Sequence, residues 1–195
     1  MVRDITRNSH EEGRFRSRLP SLDGEWKEII RGSADFFGLN YYSSSLLELP
    51  SEPLGQSPSF ERDLNVEVIG DSSVCDPAGL ESLLHWIKKE YNNIPMIVTE
   101  NGWRDEGEIE DYNRTYYLKG HLQAVLNAVN SGCNVYSYTH WSLLDNFEWV
   151  FGYTQSLGLY GVDRTSPLLE RYAKKSARFY KKVIEKRISP NQFAV

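Results

Sequence analysis

Apolar and polar positions follow two different periods along the chain. Short apolar or aromatic runs predict buried strands at 35–42, 95–100 and 134–141. Longer segments with helical spacing predict helices at about 76–91, 111–131 and 169–186, and a short helix at 25–31. Strands that alternate with helices favour βαβ units, so the pattern indicates an α/β fold with a parallel sheet.

The three longer predicted helices each carry an apolar stripe for the core. The stripe residues are Leu80, Leu83, Leu84 and Ile87 in the first, Leu118, Leu122, Val125, Leu126 and Val129 in the second, and Ala173, Ala177, Tyr180, Val183 and Ile184 in the third. Asp76 followed by Pro77 is typical of a helix start, and Gly132 of a helix end. Residues 43–75 are rich in Ser, Pro, Glu and Gly and predict a long loop.

Composition is that of an ordinary soluble domain and excludes several function classes. The 195 residues are 40% hydrophobic and 25% charged, with a formal net charge of −5, which argues against a basic nucleic-acid interface. Basic residues near the C-terminus, Lys174 among them, are expected on the solvated face of a helix. No apolar run approaches the roughly 18 residues of a membrane span, and residues 1–14 carry no apolar signal region.

Two cysteines, Cys75 and Cys133, are too few for a disulfide framework or a four-ligand structural metal site. We expect both to be buried or half-buried free thiols, since an unpaired cysteine behaves as a small apolar side chain. The sequence leaves the compartment and the oligomeric state open.

Polar and aromatic residues gather where the three predicted strands end. The clusters are Asn40–Tyr42, Glu100–Gly102 and Trp141–Trp149. In parallel α/β sheets the C-terminal strand ends build the active site. A carboxylate that closes an apolar strand, as Glu100 does, is costly to bury without a partner. Taken singly, Glu100 could still be a hydrogen-bonded structural residue and Tyr42 a packed ring with a satisfied hydroxyl.

Four motifs in order give the chain a family resemblance. They are Ser17-Arg-Leu-Pro20, Gly32-Ser-Ala-Asp-Phe-Phe-Gly-Leu-Asn-Tyr-Tyr42, Val98-Thr-Glu-Asn-Gly102 and Trp141-Ser-Leu-Leu-Asp-Asn-Phe-Glu-Trp149, the last extended by Gly152-Tyr153 and Gly158-Leu-Tyr-Gly-Val-Asp163. On these motifs the chain resembles glycoside hydrolase family 1, the β-glucosidase family. The resemblance implies one incomplete domain over 1–195, a partial (β/α)8 TIM barrel with approximately strands six to eight and their helices.

The resemblance also implies a role for each matching residue. Glu100 matches the nucleophile of a retaining β-glycosidase, and Tyr42 matches the tyrosine that donates to it. The sugar-binding residues implied are Asn40 beside the nucleophile, Trp141 under the sugar ring, Glu148 on two hydroxyls and its neighbour Trp149. The implied substrate is a β-glycoside or oligosaccharide, and the implied chemistry needs no metal or organic cofactor. Trp103 is a weaker candidate on the leaving-group side.

Some positions depart from the family pattern. Ser156 and Leu157 replace the usual Arg-Phe pair, which leaves the sugar preference open, and Gly161 replaces the residue usual before Val-Asp. The family's acid/base glutamate belongs to a T-x-N-E-P motif, and the nearest string here is Ser51-Glu52-Pro53 in the predicted loop.

We therefore expect these 195 residues, taken alone, to turn over natural glycosides negligibly. We also expect exposed strand edges and apolar faces, and hence poor solubility or partial melting. Two other interpretations stay open at this point: a non-catalytic binding or receptor-like module derived from a glycosidase, and a decayed gene product.

Overall fold

A three-stranded parallel sheet carries the predicted strands. The computed structural model of the protein describes residues 2–20, 22, 24–51, 57–70, 75–187 and 189–192. The strands are β1 (Phe37–Asn40), β4 (Met96–Glu100) and β5 (Val135–Tyr138), arranged in the order β1-β4-β5. Both pairings are parallel, with Asn40 opposite Glu100 and Val98 opposite Tyr138. The C-terminal ends of all three strands therefore lie at one edge of the sheet.

Two long helices connect these strands and cover one face of the sheet. They are α4 (Pro77–Glu90) and α5 (Tyr112–Asn130). The predicted start of α4 is confirmed, because Pro77 begins the helix and Asp76 Oδ1 accepts a hydrogen bond from the backbone N–H of Gly79 at 2.9 Å. The core between helices and sheet consists of Leu39, Tyr41, Leu80, Leu84, Ile87, Met96, Val98, Ala128 and Cys133. Each large aliphatic side chain buried here stabilises the fold by about 1.5–3 kcal/mol.

A hairpin and the last helix close this part of the chain. Strands β6 (Tyr160–Val162) and β7 (Arg171–Ala173) pair antiparallel, and α6 (Lys175–Lys186) follows. The predicted helix start at about 169 is therefore wrong by six residues. Residues 171–173 pair with β6 because Gly161 lets the Tyr172 ring lie across it; a Cβ there would sit 2.2 Å from that ring. Ala177 and Phe179 of α6 pack with Leu118 of α5 and with Leu159, the residue before β6.

The described residues form two compact units. The sheet, its helices and the hairpin belong to Asp35–Ser43 with Cys75–Val195, and a smaller unit comprises Met1–Ala34 with Ser44–Val74. Whether the chain is one domain, as the sequence suggests, stays a prediction.

The smaller unit holds more regular structure than the sequence indicates. Its elements are α1 (Val2–Glu11), α2 (Glu25–Ile30), α3 (Phe60–Leu64) and the antiparallel pair β2 (Leu47–Glu48) and β3 (Glu67–Val68). The prediction of a plain loop over 43–75 is thus wrong where α3, β2 and β3 form. Helix α3 is stabilised by the Ser59 hydroxyl, which accepts from the backbone N–H of Arg62, and by ion pairs of Arg18 with Asp63 and of Arg62 with Glu12.

The cysteine prediction is correct for one residue and wrong for the other. Cys133 is buried in the core, whereas Cys75, which lies just before α4, is exposed.

Within the described ranges, no helix combines the length and the apolar character that crossing a membrane requires.

Candidate active site

The ends of β1 and β4 bring Tyr42 and Glu100 together. The Tyr42 hydroxyl donates a hydrogen bond of 2.5 Å to Glu100 Oε2. The backbone holds the pair in register, because the N–H of Tyr41 donates to the carbonyl of Glu100 at 2.9 Å. A short bond from a phenol to a carboxylate orients the carboxylate and leaves its other oxygen, Oε1, for a further partner.

A second carboxylate lies after the end of β5. Glu148 is buried, and its Oε1 accepts from the indole N–H of Trp141 at 3.3 Å. The pKa of Tyr42 is raised far above its usual value. Burial contributes most, followed by the hydrogen bond to Glu100, the charge of Glu100 and the charge of Glu148. The Tyr42 hydroxyl is therefore hydrogen-bonded to Glu100 and lies within range of the charge of Glu148.

A fully buried amide ties the three strand ends together. Asn101 follows Glu100, and its Nδ2 donates to the carbonyl of Tyr41 at 2.7 Å and to the hydroxyl of Tyr117 at 2.8 Å. Its Oδ1 accepts from the hydroxyl of Tyr138 at 2.6 Å. One side chain thus links β1, β5 and α5 at the residue next to Glu100, and its buried polar atoms are all satisfied.

A buried ionic network lies behind the loop that carries Glu148. Arg114 pairs with Asp105 at 2.6 Å and with Asp111 at 2.7 Å, and it donates to the carbonyls of Ser156 and Gly158. The pKa of Asp105 is raised, mainly by burial, and the nearby positive charge of Arg114 opposes this shift. The two hydrogen bonds to the carbonyls of Ser156 and Gly158 fix the returning segment 156–158 against α5.

Lys174 belongs to the same network. It is completely buried, pairs with Asp145 at 3.0 Å and donates to the Ser156 hydroxyl at 2.5 Å. Burial first, and then the charge of Arg114, lower the pKa of Lys174. The prediction of a solvated position for Lys174 is therefore wrong, because its partner Asp145 comes from the loop between β5 and β6. Asp145 also accepts from the Ser156 hydroxyl and the Gly158 N–H, both at 2.8 Å, so it closes the base of the loop that carries Glu148.

Comparison with known proteins assigns the chain to a family. A model described as glycosyl hydrolase family 1 matches residues 3–188. The chain belongs to this family. Myrosinase 1 of Brevicoryne brassicae is 37% identical over 195 residues, covering 94% of this chain and 41% of that protein. Lactase/phlorizin hydrolase of Homo sapiens is 38% identical over 183 residues, covering 88% of this chain and 9% of that protein.

The chain is also similar to solved structures of glycosidases. An aphid myrosinase matches with a TM-score of 0.84 and 37% identity, covering 95% of this chain and 42% of that one. Beta-glucosidase 2 of the fungus Trichoderma reesei matches with a TM-score of 0.75 and 33% identity, covering 88% and 41%. The expected partial TIM-barrel fold is thus confirmed at the level of fold class, and the chain spans about two fifths of the family 1 myrosinases that it matches.

The remaining predicted site residues of this family 1 chain lie at or after the C-terminal ends of the strands along the chain. Asn40 is exposed, and its Oδ1 accepts from the Thr99 hydroxyl at 2.6 Å. Trp149 is 85% exposed in a 3-10 turn with a positive φ of 48°. Trp103 packs on Tyr117, and Leu157 is buried with its carbonyl bound to the N–H of Ser142. Their predicted roles toward a sugar stay predictions.

Sequence reasoning missed Tyr117 and Arg114. Both are buried on α5, where the predicted stripe of apolar residues passes beside them. The spacing 114, 117, 121 is the same i, i+3, i+7 pattern that marks a buried helix face, but its members are polar and so carry no hydrophobic signal.

Among the described residues, no three His, Cys, Asp or Glu side chains form a group that could hold a metal ion.

Proposed function

We propose that this chain is the part of a retaining β-glycosidase that carries the nucleophile, Glu100. The supporting observation is the short hydrogen bond from Tyr42 to Glu100, made within reach of the charge of Glu148. A carboxylate that one phenol orients from one side has its second oxygen available for attack on an anomeric carbon. Family 1 membership, with relatives named as β-glucosidases and myrosinases, supports the same chemistry.

Each residue then has a step in a double displacement. Glu100 attacks the anomeric carbon, the bond to the leaving oxygen breaks, and a glycosyl-enzyme ester forms; water later cleaves this ester and restores the carboxylate with the β configuration retained. Tyr42 holds the carboxylate and steadies the charge of the transition state. Glu148 accepts from two sugar hydroxyls, Trp141 covers the C–H face of the ring, and Asn40 and Trp149 complete the glycone contacts.

The acid/base group of this mechanism is a second carboxyl about 5–5.5 Å from the nucleophile. No T-x-N-E-P segment occurs in the 195 residues, and Glu52 of the nearest string lies outside the described residues. We propose that the sheet corresponds to barrel strands six to eight and that the acid/base group comes from a segment outside this sequence. Loss of acid assistance alone slows glycosidic cleavage by about 10²–10⁴-fold, so this chain by itself is expected to leave natural glycosides nearly intact.

A trapping reagent tests the nucleophile without acid assistance. Dinitrophenyl 2-deoxy-2-fluoro-β-glycosides carry a leaving group that departs unprotonated, and the fluorine slows hydrolysis of the ester. The chain, treated with the gluco and galacto forms, is expected to gain the mass of one fluoro-deoxyhexosyl group on the peptide that contains Glu100. Intact mass and peptide mapping are the measurements.

Variants separate the roles in this experiment. Glu100→Gln is expected to abolish labelling, and Glu148→Gln to lower it about 10- to 100-fold through lost charged hydrogen bonds to the sugar. Glu106→Gln, an exposed carboxylate six residues further along, is the matched control and should label normally. Labelling at a residue other than Glu100, or none at all, would contradict the proposal. Sugar binding without labelling would favour the binding-module interpretation.

A further inference from the structure

The hydroxyl of Tyr117 bridges the two chain segments that carry Tyr42 and Glu100. It donates to the backbone carbonyl of Tyr42 at 2.6 Å and accepts from Asn101 Nδ2 at 2.8 Å. Asn101 is bonded covalently to Glu100. One phenolic oxygen on α5 thus holds the residue after the nucleophile and, at the same time, the residue that donates to the nucleophile.

The position of this hydroxyl is fixed by its surroundings. Tyr117 is 1% exposed, and its ring stacks on His121 with centroids 3.8 Å apart and packs against Trp103 at 5.4 Å. Burial, as the first cause, raises the pKa of Tyr117 well above its usual value, so the oxygen keeps its proton and stays a donor to the carbonyl of Tyr42. The ring cannot follow a displaced strand end without breaking this packing.

Tyr42 needs such an anchor because it lies beyond the end of β1. The strand ends at Asn40, and the last backbone bond toward β4 is made by the N–H of Tyr41. The peptide that follows Tyr42 is held at its carbonyl by Tyr117. We propose that Tyr117 is a positioning residue that acts through Tyr42: by fixing the Tyr42 backbone, it keeps the Tyr42 phenol aligned on Glu100. This inference rests on the proposed function for its catalytic consequence.

The test is a double-mutant cycle on the trapping reaction of the 195-residue chain. Tyr117→Phe keeps the ring and removes only the bridging oxygen. It is expected to lower the first-order labelling constant about 3- to 10-fold, the range of one lost hydrogen bond, while the half-saturating concentration of the fluoroglycoside stays the same. In a Tyr42→Phe background, Tyr117→Phe should have no further effect, because the aligned phenol hydroxyl is already gone.

Tyr180→Phe is the matched control for a merely structural effect. It removes the hydroxyl of a different tyrosine of the same unit, which is half-buried and donates to the carbonyl of Tyr138 at 3.4 Å. It should label at the rate of the unmodified chain. An equal loss of labelling rate in Tyr117→Phe and Tyr180→Phe would overturn the inference. It would also be overturned if the double variant of Tyr42→Phe and Tyr117→Phe lost labelling rate by the product of the two single losses.

A measurement independent of labelling keeps this inference separate from the proposed function. The hydrogen-bonded hydroxyl proton of Tyr42 is expected to give a downfield NMR signal, assigned by its loss in Tyr42→Phe. That signal should move upfield in Tyr117→Phe and stay in place in Tyr180→Phe. If the unmodified chain is not labelled, the proposed function fails and the Tyr42 signal alone decides the positioning role. An unchanged signal in Tyr117→Phe overturns it.

Discussion

Gly102 sits where two strand ends touch through their backbones. A Cβ at this position would lie 1.9 Å from the carbonyl oxygen of Trp141. The backbone cannot give way easily, because the N–H of Trp141 donates to the carbonyl of Asn101 at 2.9 Å. The glycine of the Thr-Glu-Asn-Gly motif is therefore required by this close approach, which sets the distance between the backbones that carry Glu100 and Trp141.

Gly102→Ala should separate these two residues. The methyl group displaces the peptide of Trp141, and a misplacement of about 1 Å can cost about 10²-fold in rate. The labelling constant of the trapping reaction is the measurement. Gly38→Ala is the matched control in the same sheet, because its Cβ would meet its nearest neighbour at an ordinary 3.5 Å. Equal labelling by both variants would show that the contact is unimportant.

At the scale of elements, α5 connects most parts of the site. Its buried face carries Arg114 toward the segment 156–158, Tyr117 toward the ends of β1 and β4, Leu118 toward α6, and His121 against Tyr117. A helix with a polar buried face gains less from apolar burial, and its position depends on satisfied hydrogen bonds. Any pH change that charges this face should therefore weaken the fold.

Two buried histidines predict how stability depends on pH. Burial lowers the pKa of His121 to about 4, and burial together with the charge of Arg114 lowers the pKa of His140 to about 3. Both titrate near 6.5 when unfolded. Below pH 6.5 the unfolded chain therefore takes up protons that the folded chain does not, and the free energy of unfolding falls as the pH falls toward 4. Each unit of pKa difference contributes about 1.4 kcal/mol.

Urea denaturation at low protein concentration, repeated from pH 7 to pH 4, measures this slope. His121→Phe and His140→Phe should each remove part of the slope, and the double variant most of it. A double variant with the slope of the unmodified chain would assign the acid sensitivity to other groups.

The sequence predicted best where local pattern decides structure. Apolar runs placed β1, β4 and β5, and Asp76-Pro77 placed the start of α4, because burial and capping are local signals. It failed at Lys174, whose burial depends on Asp145, 29 residues earlier. It failed also at residues 171–173, which pair as β7 because Gly161 accommodates Tyr172. Tyr42, Glu100 and the hydrogen bond between them were predicted through the family motifs. The bridge through the Tyr117 hydroxyl was not predicted, because it depends on how α5 packs against the strand ends.

At the scale of the molecule, apolar surface is left in contact with solvent. Within the described residues, β1 and β5 are the outer strands of the parallel sheet. Large apolar side chains are exposed next to the site, among them Leu143 at 64% and Val150 at 93%. Unpaired strand edges and apolar patches of this kind favour association with further polypeptide.

We therefore predict that the purified 195-residue chain self-associates. Sedimentation velocity at rising concentration should show growing species, and a hydrophobic dye should fluoresce more strongly than with a folded monomeric control protein of similar size. A sharp cooperative melt from a strictly monomeric sample, with little dye binding, would contradict this prediction.

The burial of Lys174 gives its amine a chemistry unlike that of the lysines around it. Lys181 and Lys182, on the following helix, are open to solvent, whereas Lys174 is enclosed by Asp145 and Ser156. Amine-directed acylating reagents should consequently modify Lys181 and Lys182 within the native state and reach Lys174 only when the loop bearing Glu148 lifts away. Its acylation rate would then report how often that loop opens.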